Sequence, residues 1–305
     1  MNSTDFQNFA NDMAHYSGYP LIIIGVLGNI LCIFVLFRPK MKESNIRIYL
    51  IGLSFNDIGV FVILMIDKWL RHSYGIQLRL KSLFACKLLP FLDKFVLETS
   101  SLIVLLISIE RMVAIIFPIR YHNLKCKHQR VALCILFFIL VAFNSPILYF
   151  YSLNHSKCYD SAPQNYIKIK YIIFYIFYWI LPVIGLLITN GIILYCLRKR
   201  AGSVNIKAKQ QTFLKLKQKV KEGLYLLFMI SILFLLCTSP FAICGIVITT
   251  YKGDRNTTYA KNVIAVYVLA HFFSYFNNAL NFAVYMLASS NFRQELKAFL
   301  RIKTK

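Results

Sequence analysis

Long apolar runs, separated by short polar and basic connections, recur along the chain. Seven can be drawn, at about Tyr19–Phe37, Ile46–Ile66, Cys86–Arg111, Val131–Tyr151, Lys170–Leu197, Glu222–Thr250 and Lys261–Leu287. A helix rises 1.5 Å per residue, so about twenty such residues cross the ~30 Å hydrocarbon core of a bilayer. Each run is therefore expected to be a membrane-spanning helix. The stretch Asn291–Ile302 reads differently. It sets Phe292, Leu296, Phe299 and Leu300 on one side and Arg293, Lys297 and Arg301 on another, the pattern of a helix lying in the interface. The expected fold class is an all-α membrane protein, a seven-transmembrane helix bundle. Residues 1–18 form an N-terminal tail, 19–290 the bundle, and 291–305 the interfacial helix with a short tail.

The third run organises the rest. As a helix from Cys86 to Arg111 it is roughly 37 Å long. It carries Asp93, Lys94 and Glu98, charges that a lipid-facing helix would not tolerate, so other helices must surround it. Helical spacing puts Asp93, Leu97, Ser100, Val104, Ile107 and Arg111 on one stripe. That stripe places a carboxylate near one membrane face and a guanidinium near the other, about 27 Å apart. Lys94 lies about 100° round the helix from Asp93 and is four residues from Glu98, the spacing of an ion pair. Asp93 is then left without a local partner.

Composition supports a lipid solvent: 58% of residues are apolar and only 15% charged, against about 25% charged in a soluble domain. The net charge of +23 could suggest nucleic acid, but the basic residues are confined to the connections between runs. They are read as topology signals, and no nucleic-acid partner is expected. Of the 35 Lys and Arg, 23 fall on the side shared by the connections after runs one, three and five and the C-terminus. Eleven fall on the other side, with Lys94 between them. The N-terminus is accordingly expected outside and the C-terminal tail inside. The three N-x-S/T sequons, at Asn2, Asn154 and Asn256, all land on the outer side and are candidate glycosylation sites. The polar, slightly acidic first twenty residues lack the basic start of a cleavable signal.

Cys32, Cys134, Cys196, Cys237 and Cys244 lie in apolar runs and suit small buried thiols. Cys86 and Cys158 lie on the outer, oxidising side and are expected to form a disulfide, two free thiols being the alternative. The inner basic stretch Lys207–Lys221 has helical periodicity. It fits an acidic partner or anionic lipid, or equally a solvated helix extension.

Several short motifs occupy matching places in successive runs: Gly28-Asn29, Leu53-Ser54-Phe55-Asn56-Asp57, and Cys86 followed by Glu110-Arg111-Met112. Pro182, Phe234 with Cys237-Thr238-Ser239-Pro240, Asn281-Phe282-Ala283-Val284-Tyr285 and Phe292 continue the series. Over almost its whole length the chain resembles the rhodopsin-like (class A) G-protein-coupled receptors. The departures are a missing Trp in run four, Thr238 at the toggle Trp, Phe282 at the run-seven proline, Met112 for Tyr and Asn190 for the inner Tyr of run five. In its Cys-x-x-Pro without Trp and its Asn-Phe-x-x-Tyr ending it is similar to FMRFamide-type neuropeptide receptors and their invertebrate relatives.

The resemblance implies roles residue by residue. Glu110, Arg111, Asn281 and Tyr285 would serve G-protein coupling, with Arg111 held by Glu110 at rest. Val220 stands where some relatives carry an acid, so a lock between runs three and six is not expected. Asp57, Ser100, Asn277 and Asn281 would form a sodium-binding or water-bonded polar network, a protonated acid being the alternative. No cofactor is expected beyond that sodium ion, and no other metal. Asp93 would face the ligand pocket, bordered by Phe174, Tyr178, Phe241, His271 and Tyr275.

A plasma-membrane receptor that binds an extracellular ligand and activates a heterotrimeric G protein is the function implied. An unpaired acid walled by aromatics favours a cationic group. A basic, RFamide-like neuropeptide is preferred over a biogenic amine, because run five offers Phe174, Tyr175 and Tyr178 and no serine there. An orphan chemosensory receptor is the further alternative. The chain lacks GxSxG, HExxH and internal repeats, and Tyr275 stands at the run-seven position where an opsin carries its Schiff-base lysine, which argues against an enzyme, a transporter and an opsin.

Overall fold

The computed structural model describes residues 3–43, 46–117, 121, 127–155, 157–201, 210–251, 253–254 and 257–300. Helix α1 runs unbroken over Ser3–Leu36, so most of the expected N-terminal tail is a helical extension of the first span. Trp69 Nε1 donates to the His15 carbonyl at 3.2 Å, and the Tyr19 and Tyr74 hydroxyls meet at 2.8 Å, fastening that extension to the second helix. Helix α2 covers Arg47–Tyr74, with a π-helical turn at Val60–Met65. It stops at Gly75, whose φ of 67° is open to glycine without a Cβ penalty. Helix α3 is Leu83–Ile116, started by Ser82, whose side chain accepts the Ala85 N–H at 3.0 Å.

Helix α4 spans Lys127–Asn144 and, past Ser145, Pro146–Phe150. A hairpin follows: β1 Tyr151–Asn154 pairs antiparallel with β2 Lys157–Asp160, Leu153 opposite Cys158. Helix α5 runs through Gln164–Tyr175, a π turn at Ile176–Ile180 and Leu181–Ala201. Helix α6 is Gln210–Thr250, taking up residues 210–221 of the basic stretch, while 207–209 lie outside the described residues. Helix α7 comes in three pieces, Thr258–Ser274, Phe276–Ala279 and Asn281–Ala288, with a 42° bend. The short helix α8 is Ser290–Phe299, capped by the Ser289 hydroxyl on the Phe292 N–H.

Among the described residues, six helices are long and apolar enough to cross a membrane, and the bent α7 makes the seventh. Helix α3 is central, packing against α2, α4, α5, α6 and β1. The stripe read from the sequence faces inward: Leu97, Ser100, Val104 and Ile107 are all buried. Lipid tails are as apolar as leucine, so close packing and interhelical hydrogen bonds hold such a bundle. Asn29 donates to the Asn278 carbonyl at 3.0 Å, Asn56 to that of Val96 at 2.8 Å, and Asn190 to Ser231 Oγ at 3.1 Å.

Two apolar layers result. One, toward the hairpin, gathers Phe61, Leu97, Phe174, Tyr178, Phe241 and Tyr275. The other, toward Arg111, gathers Leu53, Ile103, Phe234, Tyr285 and Phe292.

Candidate functional site

The hairpin end is fastened to α3 by the Cys86–Cys158 disulfide, so the pairing expected from topology is formed. Asn154, last residue of β1, is exposed, whereas Asn2 and Asn256 lie outside the described residues. Asp160 on β2 pairs with Lys170 of α5.

Below the hairpin, Asp93 is not left unpaired. Its Oδ2 sits 3.5 Å from Lys68 Nζ and 3.4 Å from an Arg79 terminal nitrogen, and Arg79 Nε also reaches Asp67 at 3.3 Å. The expectation of a partnerless carboxylate is corrected because both cations come from outside α3. Lys68 follows the π turn of α2, and Arg79 sits in a tight turn, Leu78–Leu80, before α3. Burial alone would lower the pKa of Arg79, but Asp93 and Asp67 outweigh it and hold the guanidinium charged. The other carboxylate oxygen, Asp93 Oδ1, is buried without a hydrogen bond among the described residues.

The Lys94–Glu98 pair does not form either. Lys94 Nζ lies 3.6 Å above the Phe174 ring centroid, while buried Glu98 accepts from Asn144 of α4 at 2.6 Å.

The aromatic residues expected to border the pocket are brought together, but as a plug rather than a wall. Phe174 stacks on Tyr178 at 5.3 Å, Tyr178 meets Phe241 edge-on at 5.6 Å, and Phe241 stacks on His271 at 4.3 Å. His271 stacks on Tyr275, whose hydroxyl is 3.3 Å from His271 Nε2. All five are buried. The phenylalanine and tyrosine rings share an apolar layer with Leu97, one helical turn from Asp93 on α3.

In mid-bundle, Asp57 is held by Ser100 at 3.1 Å, Asn278 at 2.6 Å and Asn281 at 2.6 Å. Asn277, expected in this set, gives way to its neighbour Asn278, which also reaches Ser100 at 3.0 Å. Both asparagines lie on the short Phe276–Ala279 piece, which is bounded by breaks of α7 at Tyr275 and Leu280. Two amide groups and a hydroxyl present hydrogens to the carboxylate. Each of these side chains also carries an oxygen, the atom type that a sodium ion takes, so the set fits a cation with its amides and hydroxyl turned from the arrangement seen here.

At the opposite end, Glu110 does not hold Arg111. The Glu110 carboxylate accepts from Tyr121 and Gln129, each at 2.9 Å. Arg111 turns to α6, where a Cβ at Gly223 would lie 3.4 Å from its guanidinium. Its Nε is buried without a hydrogen bond among the described residues. The next residue back, Glu222, accepts both the N–H and the hydroxyl of Ser290, at 3.0 and 2.8 Å. Tyr285 packs edge-on against Phe292 at 5.7 Å.

Sequence reasoning missed Lys68, Arg79, Asn278 and Glu222. It also missed Trp179, whose indole N–H reaches Ser239 on α6 at 3.1 Å, one residue from the vacant toggle position. Trp179 is one of only two tryptophans in the chain, and that rarity was the available signal.

Comparison with known proteins follows this geometry. The family described as 7 transmembrane receptor (rhodopsin family) matches residues 28–285. Galanin receptor type 2 of Mus musculus is 25% identical over 289 residues, spanning 90% of this chain and 72% of that protein. Melatonin receptor type 1C of Gallus gallus is 24% identical over 294 residues, spanning 92% and 79%. The KiSS-1 receptor of Rattus norvegicus is 23% identical over 298 residues, spanning 92% and 72%. These relatives do not carry the finer likeness to FMRFamide-type receptors. The helix bundle, the Cys86–Cys158 bond and the match across most of the chain agree, and the protein belongs to the rhodopsin family of seven-transmembrane receptors.

Proposed function

We propose that this chain is a plasma-membrane receptor for an extracellular peptide, with the hairpin end outside and the Arg111 end meeting a heterotrimeric G protein. The observation that carries the ligand class is the aromatic plug. Phe174, Tyr178, Phe241, His271 and Tyr275 pack on one another, which leaves less room for a small amine to lie among these rings. The same carboxylate already faces two protein cations. A peptide can instead read the broad layer above the plug, formed by the hairpin and the outer ends of the helices. Relatives named for galanin and KiSS-1 support that reading.

A basic side chain of the ligand, RFamide-like or otherwise, would share Asp93 with Lys68 and Arg79 through the remaining Oδ1, or displace one of them from Oδ2. The acid is therefore first a counter-ion of the receptor. Binding acts by favouring one arrangement of the bundle over another, with no chemical step required.

Cells expressing the receptor are exposed to a panel of amidated and non-amidated peptides and to a panel of monoamines, with calcium and cyclic-AMP readouts. Activation by a peptide at submicromolar concentration supports the reading. Activation by a monoamine alone at that concentration ends it.

A further inference from the structure

Helix α8 is fixed to the bundle at several points. Its Glu295 pairs with Arg38 beyond the end of α1 at 3.1 Å, and Phe292 is buried beside Tyr285 and Phe282 of α7. Arg293 closes the end of α7 by donating to the Met286 and Leu287 carbonyls at 2.8 and 2.9 Å. The first turn of any helix leaves backbone N–H groups unmatched. In α8 the Ser289 hydroxyl takes that of Phe292, whereas the N–H of Ser290 goes to another helix altogether. Its acceptor is Glu222 Oε2 on α6, which also takes the Ser290 hydroxyl. A carboxylate at a helix N-terminus faces the positive end of the helix dipole, and hydrogen bonds to an ionised acceptor are the stronger kind.

Helix α6 is thus tied to a firmly seated α8. Across from it, Arg111 of α3 packs on Gly223 and meets no carboxylate within ion-pair distance among the described residues. Among the described residues, Glu222 ties this end of α6 to α8, and Asn190 of α5 donates to Ser231 farther along α6.

We propose that Glu222 and Ser290 form a latch between α6 and α8 that holds the Arg111 end closed and sets the level of ligand-independent signalling. This rests on the coupling role proposed above. Moving α6 outward breaks both bonds to Ser290 at once, while the buried contacts of α8 keep the other half of the latch in place.

The test compares Glu222→Ala, Glu222→Gln and Ser290→Pro with wild type. Proline is well tolerated at a first helical position, so Ser290→Pro removes both donors while leaving α8 intact. Glu222→Gln keeps the shape and removes the charge, and it carries the test if Glu222→Ala fails to reach the surface. At equal surface level, Glu222→Ala and Ser290→Pro should each raise ligand-independent calcium or cyclic-AMP responses at least threefold. The double variant should rise no further than the larger single one. No rise in either, or a rise with Glu222→Ala but not with Ser290→Pro, overturns the latch.

A second readout is independent of the G protein. Spin labels carried by unnatural residues at the exposed positions 225 and 300 report the separation of α6 and α8 in purified receptor. That separation should lengthen in both variants. Lengthening without any signalling, in variants and wild type alike, keeps the latch and rejects the coupling role. Unchanged separation rejects the latch itself.

Discussion

Two aspartates sit in one bundle under opposite regimes, Asp57 fully buried and Asp93 with a side chain 14% exposed. Asp57 is surrounded by neutral donors, Ser100, Asn278 and Asn281, each within 3.1 Å. Asp93 is surrounded by charge, with Lys68 and Arg79 at 3.5 and 3.4 Å and Asp67 sharing the arginine. An acid in a bundle must be hydrogen-bonded or paired, and here both solutions appear about two helical turns apart in depth. The difference lies in what remains when the acid is removed. At Asp57 the leftovers are uncharged amides that can turn. At Asp93 they are two cations with little water to fall back on.

Asp93→Asn should therefore show the largest effect. Removing one member of a buried charge cluster costs about 3 kcal/mol. The purified receptor should melt several degrees lower, and Asp93→Asn with Arg79→Gln should recover part of the loss. A melting temperature equal to wild type would show that the two lysine and arginine contacts contribute nothing.

Asp57→Asn comes next, at about 2 kcal/mol, because the new amide opposes its own donors to those of Asn278 or Asn281. The same melting experiment checks the order. If Asp57→Asn proves more damaging than Asp93→Asn, the contrast between neutral and charged surroundings fails.

A smaller effect separates neighbours. Asn278→Ala removes bonds to both Asp57 and Ser100 and should cost about 1 kcal/mol, more than Asn277→Ala. Equal losses would return Asn277 to the network. Smallest of all is the response to sodium. Exchanging sodium for a large organic cation should leave the melting temperature unchanged, since hydrogens face the Asp57 carboxylate. A sodium-dependent rise of several degrees, abolished by Asp57→Asn, would show that the asparagines turn to admit an ion.

Most of the architecture was legible because lipid imposes simple requirements. Run length identified the seven spans, charge asymmetry and redox logic paired Cys86 with Cys158, and helical spacing set the inward stripe of α3. What was not legible depended on breaks in regular geometry. Lys68 reaches Asp93 from beyond a π turn, and Asn278 replaces Asn277 within a helix broken at Tyr275 and Leu280 although proline is absent there. The hairpin was hidden because two four-residue strands give too short an alternation to read. The Arg111 environment escaped for another reason. The family resemblance implied Glu110 as its partner, yet adjacent residues on a helix point about 100° apart, and Glu110 faces Tyr121 and Gln129.

The π turn of α2 also bears on how relatives are aligned. A π turn inserts one extra residue into the helical count, and one residue is worth about 100° of rotation. In a relative whose second helix is regular throughout, the residue aligned with Lys68 by ungapped counting from Asp57 faces a different neighbour. Substitution tables built across such a pair would score a change of chemistry at that column where only the direction has changed. Against such a regular helix, transferring roles along α2 needs a one-residue gap placed at Val60–Met65, and the position to compare with Lys68 is the one that then faces α3.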